Sequence, residues 1–516
     1  MPHHLDVPLG KRLIQVACAV TWCLLAAGPI FGFAALKTVW LREGVYADYC
    51  TPDENFDGIV CSRREIKINF IFTCASVVTN FAGVIVGVIL DKYGPRTCNF
   101  IGSALLFLGS ILLAFATTTA LLDTYVCGYM ALAFAGPFIF ISSFQLANAF
   151  PVHSGLILAL LTGAFDSSTA VYLVYRLIYD ETNGRFHPKE FFLLYLAVPV
   201  FILVANVTVM PKESYKPGTN IMDVISGKDT TRSEEVINDS DLEEIMTSTN
   251  DIVATDTTPL LSGTDVEMSA EEVKEYNSEE LKLLKTSGVW GILHGTSVLK
   301  QIRTPWFILL CLFTLIQMVR LNYFVASIRA QYSFLFHDER IAETINSFFD
   351  IALPVGGIVS IPLSGYLLDH YSMATALSVL LAMGTAFGIL GNFAAFPAAY
   401  ANIVIFVLYR SMFYTTVSDY TGKVFGYDTF GKVYGLISTI SGLFNFAQSG
   451  FDHVTHQVFS RDPRPVNVTL VTLSASIGTL FVYYVSKQAK RIRRSALEIE
   501  AEQAPVIRMP GYTNDN

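Results

Sequence analysis

The sequence predicts an all-α membrane protein with twelve transmembrane helices arranged as two six-helix pseudo-repeats. Three observations support this prediction. Hydrophobic residues make up 52% of the 516-residue chain and charged residues only 15%, whereas about 25% charged residues is usual in soluble proteins. Apolar stretches of roughly 20 residues, long enough to cross a bilayer, recur between residues 13 and 486. Short motifs of the first half also recur in the second.

Charged or Pro- and Gly-rich breaks separate the apolar stretches and define the predicted helices. Six helices precede a long hydrophilic segment and six follow it. The predicted ranges are 13–36, 67–90, 98–117, 123–147, 155–179 and 190–210, then 304–326, 342–368, 374–395, 400–418, 433–457 and 467–486. The first stretch lacks a convincing signal-peptide cleavage site and many similar stretches follow it, so we expect a permanent transmembrane helix.

The hydrophilic segment, residues 211–303, contains 18 acidic and 9 basic residues, which accounts for the whole net charge of −9. It is rich in Ser, Thr, Asp and Glu and poor in aromatic residues, a composition typical of disorder. We therefore expect halves at 13–210 and 304–486, a largely disordered cytoplasmic loop between them, and short cytoplasmic ends at 1–12 and 487–516. The chain has no basic aromatic stripe, so its charge indicates no nucleic-acid partner.

An even number of transmembrane helices places both ends of the chain on one side of the membrane. Basic residues are concentrated on that side, which the positive-inside rule makes cytoplasmic. They are Lys11, Arg12, Lys92, Arg96, Lys423, Lys432, Lys487, Lys490, Arg491, Arg493 and Arg494. Three basic residues lie on the opposite side and reduce this bias, namely Arg63, Arg64 and Lys67.

Two pairs of motifs relate the halves. Gly87-Val-Ile-Leu-Asp91 recurs as Gly365-Tyr-Leu-Leu-Asp369, at an offset of 278 residues. A second pattern of Phe and Gly residues recurs at offsets of 280 and 279. Its first copy is Phe150, Gly155-Leu156, Gly163 and Phe165, and its second is Phe430, Gly435-Leu436, Gly442 and Phe444. Two landmarks at almost the same offset indicate a parallel internal repeat.

The segment from Gly87 to Arg96 resembles the signature of the major facilitator superfamily, which has a Gly, an Asp four residues later, then a Gly and a basic residue. Further motifs in both halves are similar to solute carrier family 43, the facilitative system-L-type amino-acid transporters. They are Gly32-Phe-Ala-Ala-Leu36, Glu43-Gly44-Val-Tyr46 with Cys50, Ser167-Ser168, Leu177-Ile-Tyr-Asp180, Arg410-Ser-Met-Phe-Tyr414 and Phe430-Gly-Lys-Val-Tyr-Gly435-Leu436. A fungal or protist vacuolar member would fit this resemblance.

The resemblance implies a secondary carrier of small amino acids, neutral or aromatic, that works by alternating access in the lipid bilayer without a cofactor. A related branch is associated with purines, which leaves nucleobases open, and buried acids leave cationic amino acids open. A nutrient sensor that binds without transport is a different class of function. No phosphate-loop, zinc-protease or nucleophile-elbow motif is present, so we expect neither an ATP-driven pump nor an enzyme.

Gly87, Asp91, Gly94 and Arg96 are the predicted gating residues. Asp91 and Arg96 flank a turn at Gly94, so the carboxylate is expected near helix N-terminal amides or the basic side chain, where it stabilises closure on the cytoplasmic side. Alternatively, Asp91 only caps a helix and Arg96 only marks the membrane border. In the second copy Asp369 is not followed by the Gly or the Arg, so we expect a degenerate latch there.

Charged side chains inside a bilayer cost on the order of 3 kcal/mol or more, so four of them are expected to face the interior. Arg320 is a candidate for a substrate carboxylate or for an interhelix salt bridge. Asp350 is its candidate partner, or contacts a substrate ammonium. Asp166 replaces a neutral residue of the family pattern and is the candidate for proton coupling, unless Ser167 or Thr162 satisfies it. For Arg410 we favour structural pairing.

Gly28 and Gly32 flank Pro29 and are predicted either to kink the first helix and expose backbone groups to substrate, or to pack closely on a neighbour. The remaining candidates for a substrate pocket are aromatic and amide side chains, each of which is more often a packing residue. They are Phe33, Gln145, Tyr323, Tyr414, Phe444 and Asn445.

Cys50 and Cys61 share the predicted outer loop between the first two helices, where a disulfide can form. The other six cysteines lack metal-ligand spacing, so no metal site is predicted. In the central loop, Asp256 followed by Leu260-Leu261 resembles signals read by sorting adaptors of lysosomes and vacuoles. A vacuolar or lysosomal membrane is therefore the favoured location and the plasma membrane the alternative.

Overall fold

A computed structural model describes residues 7–50, 62–116, 123–211, 215, 282–444, 447, 450–451, 454–455 and 458–503. The first membrane crossing is broken. Helix α1 (Leu9–Trp22) continues into a π-helical turn (Cys23–Ala27), stops at Gly28, and resumes as a 3-10 turn (Pro29–Gly32) and α2 (Phe33–Arg42). The predicted kink at Gly28 is therefore present.

The rest of the N-terminal half consists of α3 (Ser62–Ala114), α4 (Thr124–Ser143), α5 (Ser154–Ser167), α6 (Ala170–Glu181), α7 (Pro188–Tyr195) and α8 (Ala197–Thr208). Helix α3 has 53 residues and turns at Gly94, where φ is 79°. Glycine adopts this positive φ without the steric strain that a side chain brings. The turn divides α3 into two membrane crossings.

The C-terminal half consists of α9 (Val298–Ile302), α10 (Pro305–Phe336), α11 (Glu339–His370), α12 (Met373–Leu390), α13 (Phe396–Phe425), α14 (Phe430–Phe444) and α15 (Arg464–Gln503). Ten helices among the described residues are long and apolar enough to cross a membrane. One of them is the divided helix α3, and the shorter α14 completes the second half. The predicted twelve-helix membrane fold is confirmed.

The halves meet chiefly through two helix pairs, α3 against α14 and α5 against α11, and α5 also contacts α13. Glycines allow both contacts. A Cβ atom built on Gly431 would lie 2.6 Å from the carbonyl oxygen of Gly87, and one built on Gly163 would lie 2.6 Å from that of Gly357. Backbones approach this closely only where side chains are absent. The repeated motifs found in the sequence therefore lie at the two contacts between the halves.

The folded end of the central loop differs from expectation. Residues 282–287 are helical, and Trp290 and His294 are buried. The backbone amide of Leu293 donates to the carbonyl oxygen of Val424 at 2.9 Å, so the segment satisfies acceptors left free at the C-terminal end of α13. The expectation of disorder does not hold for residues 282–303, because their aromatic and apolar side chains have a surface to pack against.

Candidate functional site

A buried ion pair joins the two halves. Asp166, near the end of α5, accepts a hydrogen bond from Arg410 on α13, with 2.7 Å between Oδ1 and Nη1. The side chains expose only 2% and 12% of their surface. Two buried charges tolerate this environment because each compensates the other, and separating them leaves both uncompensated. The pair is therefore a strong point of attachment that must change if the halves move apart.

The surroundings of the pair are polar on one side and aromatic on the other. The Ser167 hydroxyl donates to the carbonyl oxygen of Pro354 at 3.0 Å, which is a second bond between the halves. The ring of Tyr414, one helical turn beyond Arg410, has its centre 5.6 Å from the guanidinium carbon. Cations are attracted to aromatic faces at this distance. Asp166, Arg410 and Tyr414 thus form one cluster, which we call the central cluster.

Asp91 joins the two halves on one side of the membrane, which is called the inner side below, and we call this contact the first latch. The two carboxylate oxygens of Asp91 each accept a hydrogen bond of 2.9 Å, from the backbone amides of Gly431 and Lys432. These amides begin α14, where N–H groups lack helical partners and the helix dipole attracts negative charge. Asp91 caps a helix of the opposite half, so the capping and latching alternatives describe one contact.

A second latch uses Asp369 in the same way. Its carboxylate accepts hydrogen bonds from the backbone amides of Gly155 at 2.8 Å and Leu156 at 3.2 Å, which begin α5. The expectation of a degenerate second copy is therefore wrong. The contact needs only a carboxylate and a facing helix N-terminus, so the missing Gly and Arg after Asp369 do not matter. Each repeated Asp motif caps the repeated helix start of the other half.

Arg96 does not pair with Asp91. Its Nη2 atom donates to the carbonyl oxygen of Val207 at 3.0 Å, at the end of α8, and the side chain of Asn206 donates to the carbonyl oxygen of Arg96 at 3.0 Å. A cation at a helix C-terminus is favourable because free carbonyls and the helix dipole are negative there. Arg96 therefore stabilises the N-terminal half, and Gly94 supplies the turn that positions Asp91.

A buried Asp419–Lys423 pair on α13, with 2.6 Å between Oδ2 and Nζ, was missed by the sequence prediction. The Lys423 ammonium also donates to the carbonyl oxygen of Leu368 at 2.9 Å, and Ser154 donates to Asp419 at 3.4 Å. The pair lies beyond the predicted end of its helix at residue 418. Its i,i+4 spacing was the available signal. It ties the second latch to α13.

The glycine candidates of the first crossing serve packing. A Cβ atom on Gly28 would lie 2.7 Å from the Ser168 hydroxyl oxygen, and one on Gly32 would overlap the carbonyl oxygen of Thr169. The broken helix thus packs directly on the link between α5 and α6. The kink of the first alternative and the close packing of the second are therefore both present.

Three other pocket candidates lie apart from the central cluster. Phe33 stacks on Phe72, with 5.4 Å between ring centres, inside the N-terminal half. The Tyr323 hydroxyl is 2.8 Å from the Thr455 hydroxyl in the C-terminal half. Gln145 donates to the carbonyl oxygen of Tyr427 at 3.0 Å. That last bond joins the halves on the inner side, so Gln145 belongs with the latches.

Arg320 and Asp350 do not form the predicted pair. The Arg320 guanidinium is buried, donates to Ser474 at 3.2 Å and to the carbonyl oxygen of Gly384, and lies 4.0 Å from the centre of the Phe387 ring. Asp350 is exposed and accepts from Asn346 at 3.2 Å. Arg320 turns towards α12 and α15, and Gly388 on α12 leaves room for it, because a Cβ atom there would overlap Nη2 of Arg320.

The structure describes only some of the remaining candidate residues. Asn445, Cys61 and the sorting motif at Asp256, Leu260 and Leu261 lie outside the described residues. Cys50 is disulfide-bonded. Phe444 is 53% exposed at the end of α14. Within the described part of the chain, no group of three or more His, Cys, Asp or Glu side chains is placed to hold a metal ion.

Two six-helix halves that meet at a buried ion pair and at two latches on one side define a membrane transporter. The sequence profile of the Major Facilitator Superfamily matches residues 62–448. The chain belongs to this superfamily. It is 44% identical to Protein FMP42 of Saccharomyces cerevisiae over 488 residues, which cover 92% of this chain and 95% of that protein.

More distant relatives cover nearly the whole chain. Equilibrative nucleobase transporter 1 of Bos taurus is 21% identical, over 94% of this chain and 97% of that protein. Arginine transporter 1 of Toxoplasma gondii is 23% identical, over 97% and 93%. Among solved structures, the proton:xylose symporter XylE bound to 6-bromo-6-deoxy-D-glucose has the same fold, with a TM-score of 0.55 at 14% identity over 93% of this chain and 96% of that one.

Proposed function

We propose that this transporter moves small amino acids, most favourably neutral or aromatic ones, by alternating access. The observation that carries the proposal is the Asp166–Arg410 pair, which offers one carboxylate and one guanidinium where the halves meet. An amino acid is a zwitterion and carries the complementary pair of charges. Its ammonium suits Asp166, and its carboxylate suits the planar fork of donors on Arg410.

In this mechanism the substrate exchanges with the internal ion pair. A zwitterion that enters between Asp166 and Arg410 replaces each lost charge contact with an equivalent one, so the halves separate there without leaving either charge bare. Tyr414 lies beside Arg410 and provides an aromatic surface for an apolar side chain. The two latches keep the inner side closed until the substrate is bound.

The relatives support a small nitrogen-containing substrate but differ in what their names state. A nucleobase is one alternative substrate, because one relative is named as a nucleobase transporter. A cationic amino acid is another, because one relative is named as an arginine transporter and Asp350 is an exposed acid on α11. A nucleobase at neutral pH carries no paired charges and has less use for the central cluster. A sensor that binds ligand without flux is the remaining alternative.

Uptake by the purified protein in liposomes tests the proposal, with labelled amino acids and nucleobases as a panel. Wild type should take up zwitterionic amino acids, and Arg410→Lys should lose most uptake because one ammonium cannot replace a bidentate fork. Arg329→Lys is the matched control, since Arg329 is exposed and pairs only at the surface with Glu339. Nucleobase uptake without amino-acid uptake, or binding without flux, would overturn the proposal.

Three further points belong to the proposal. Asp166 is proposed as the proton-coupling residue, and a proton gradient across the liposomes tests it directly. The vacuolar or lysosomal membrane is the proposed location, with the plasma membrane as the alternative. A sorting adaptor that reads Asp256, Leu260 and Leu261 is the proposed partner, and mislocalisation of a Leu260→Ala, Leu261→Ala variant tests that contact.

A further inference from the structure

The last helix extends well beyond the membrane on the inner side. Helix α15 runs from Arg464 to Gln503, which is 40 residues. At about 1.5 Å per residue it is about 60 Å long, whereas the hydrocarbon core of a bilayer is about 30 Å thick. The apolar part of the helix ends near residue 486. The continuation is therefore in the headgroup layer and beyond it.

This continuation begins with a segment rich in Lys and Arg. Five of the eight residues from 487 to 494 are Lys or Arg, and all five are exposed. Within the described part of the chain, four of them form no ion pair, namely Lys487, Lys490, Arg493 and Arg494. Eight helical residues span about 12 Å, which covers the headgroup layer directly outside the hydrocarbon core. We call these four residues the basic stretch.

The basic stretch is held in a fixed orientation. On the other face of the same helix, Val485 is buried, and Ala489 and Ile492 pack against the core. A Cβ atom on Gly288 would lie 3.3 Å from the Ala489 Cβ atom, so the folded end of the central loop lies against this face. The helix cannot roll freely, and its cations stay on the surface that faces away from the protein.

We propose that the basic stretch binds the anionic headgroups of phospholipids in the inner leaflet. Lys and Arg immediately outside a transmembrane helix attract anionic lipids, and the effect accumulates with each residue near the surface. Arginine adds bidentate hydrogen bonds to phosphate oxygens. The headgroup layer is the occupant because the stretch begins where the apolar part of the helix ends, so no other surface needs to approach.

The experiment uses the full-length protein in nanodiscs of phosphatidylcholine, with and without phosphatidylinositol. Native mass spectrometry counts the retained lipids, and competition titration gives the selectivity for the anionic lipid. Wild type should prefer phosphatidylinositol by at least about tenfold, and added salt should reduce the preference. Neutralising Lys487, Lys490, Arg493 and Arg494 to Gln should remove it. These side chains are exposed, so folding and transport should be retained.

The matched control neutralises the same number of exposed cations elsewhere: Arg185, Lys189, Arg340 and Arg461. It should keep the preference for the anionic lipid. Equal selectivity in the basic-stretch variant and in wild type would overturn the proposal. So would displacement by inorganic phosphate at the same concentration as the lipid, which indicates a soluble phosphate site. A preference that appears only after the acidic loop 216–281 is deleted would also overturn it, because the loop would then be the occupant.

Discussion

The contact between α3 and α14 should be sensitive to a single methyl group at Gly431. A Cβ atom there would lie 2.5 Å from Oδ1 of Asp91 and 2.6 Å from the carbonyl oxygen of Gly87. Ordinary van der Waals contact starts at 3.4 Å, so the two helices must separate by nearly 1 Å. The carbonyl oxygen is part of the backbone and cannot rotate away. Gly431→Ala should therefore weaken the closed inner side specifically.

The magnitude follows from the cost of inserting a methyl group into a close contact, which is about 1–3 kcal/mol. This contact exists only while the inner side is closed, so the cost falls on that conformation and not on the separated one. A difference of 1–3 kcal/mol changes an equilibrium about 5- to 150-fold. The population of the closed inner side should fall measurably, and a change from 99:1 to 1:99 would need about 5.5 kcal/mol.

Double electron–electron resonance between spin labels at positions 93 and 299 measures the distance between the halves on the inner side. Tyr93 and Leu299 suit this measurement because both side chains are exposed and lie on opposite halves. Gly431→Ala should shift the distance distribution to longer values. Gly10→Ala is the control, because a Cβ atom there meets nothing within 4 Å. An unchanged distribution in Gly431→Ala, with normal transport, would refute the argument that backbone proximity holds the inner side closed.

Three other predictions follow from the site. Asp91→Asn and Asp369→Asn should each weaken inner-side closure by about 0.5–2 kcal/mol, measured with the same labels, and a silent Asp369→Asn would contradict two equivalent latches. Asp166→Asn should abolish accumulation driven by a pH gradient and, because Asp166 also receives the substrate ammonium in the proposed mechanism, should leave counterflow only at a raised apparent KM; unchanged accumulation excludes proton coupling at this residue. Arg320→Gln should lower the free energy of unfolding by about 1–3 kcal/mol through loss of the buried hydrogen bonds from the guanidinium to Ser474 and to the Gly384 carbonyl. A raised apparent KM in that variant, at unchanged stability, would return Arg320 to the substrate site.

Some site residues were recognisable in the sequence because their chemistry is costly in a membrane. Asp166 and Arg410 stand out as charges in apolar segments, and each was expected to face the interior. The sequence did not identify them as partners, since 244 residues separate them. Arg320 stood out for the same reason, yet its partners are a hydroxyl and a backbone carbonyl within one half. Charge in an apolar segment therefore predicted burial for Asp166, Arg320 and Arg410 but not for Asp350, which is exposed, and it did not predict the partners.

The second latch shows why motif matching was insufficient. Asp369 lacks the residues that make the Asp91 motif recognisable, but its function depends on a helix start in the other half. That partner, at Gly155, is itself one of the repeated landmarks. The folded end of the central loop is a similar case, because Trp290 and His294 are buried where this segment contacts α13, which is distant in the chain.

The sequence alone determined the membrane class, the number of helices and the twofold repeat, because hydrophobic length and motif spacing are local properties of the chain. Only the tertiary structure decided which charges meet, which repeated Asp caps which helix, and where Arg320 finds its acceptors. These contacts join residues that are far apart in the chain, and they are sensitive to differences of a few tenths of an ångström in the separation of the backbones. Glycines at the two helix pairs allow those separations, and only the packed helices reveal which backbone groups they bring together.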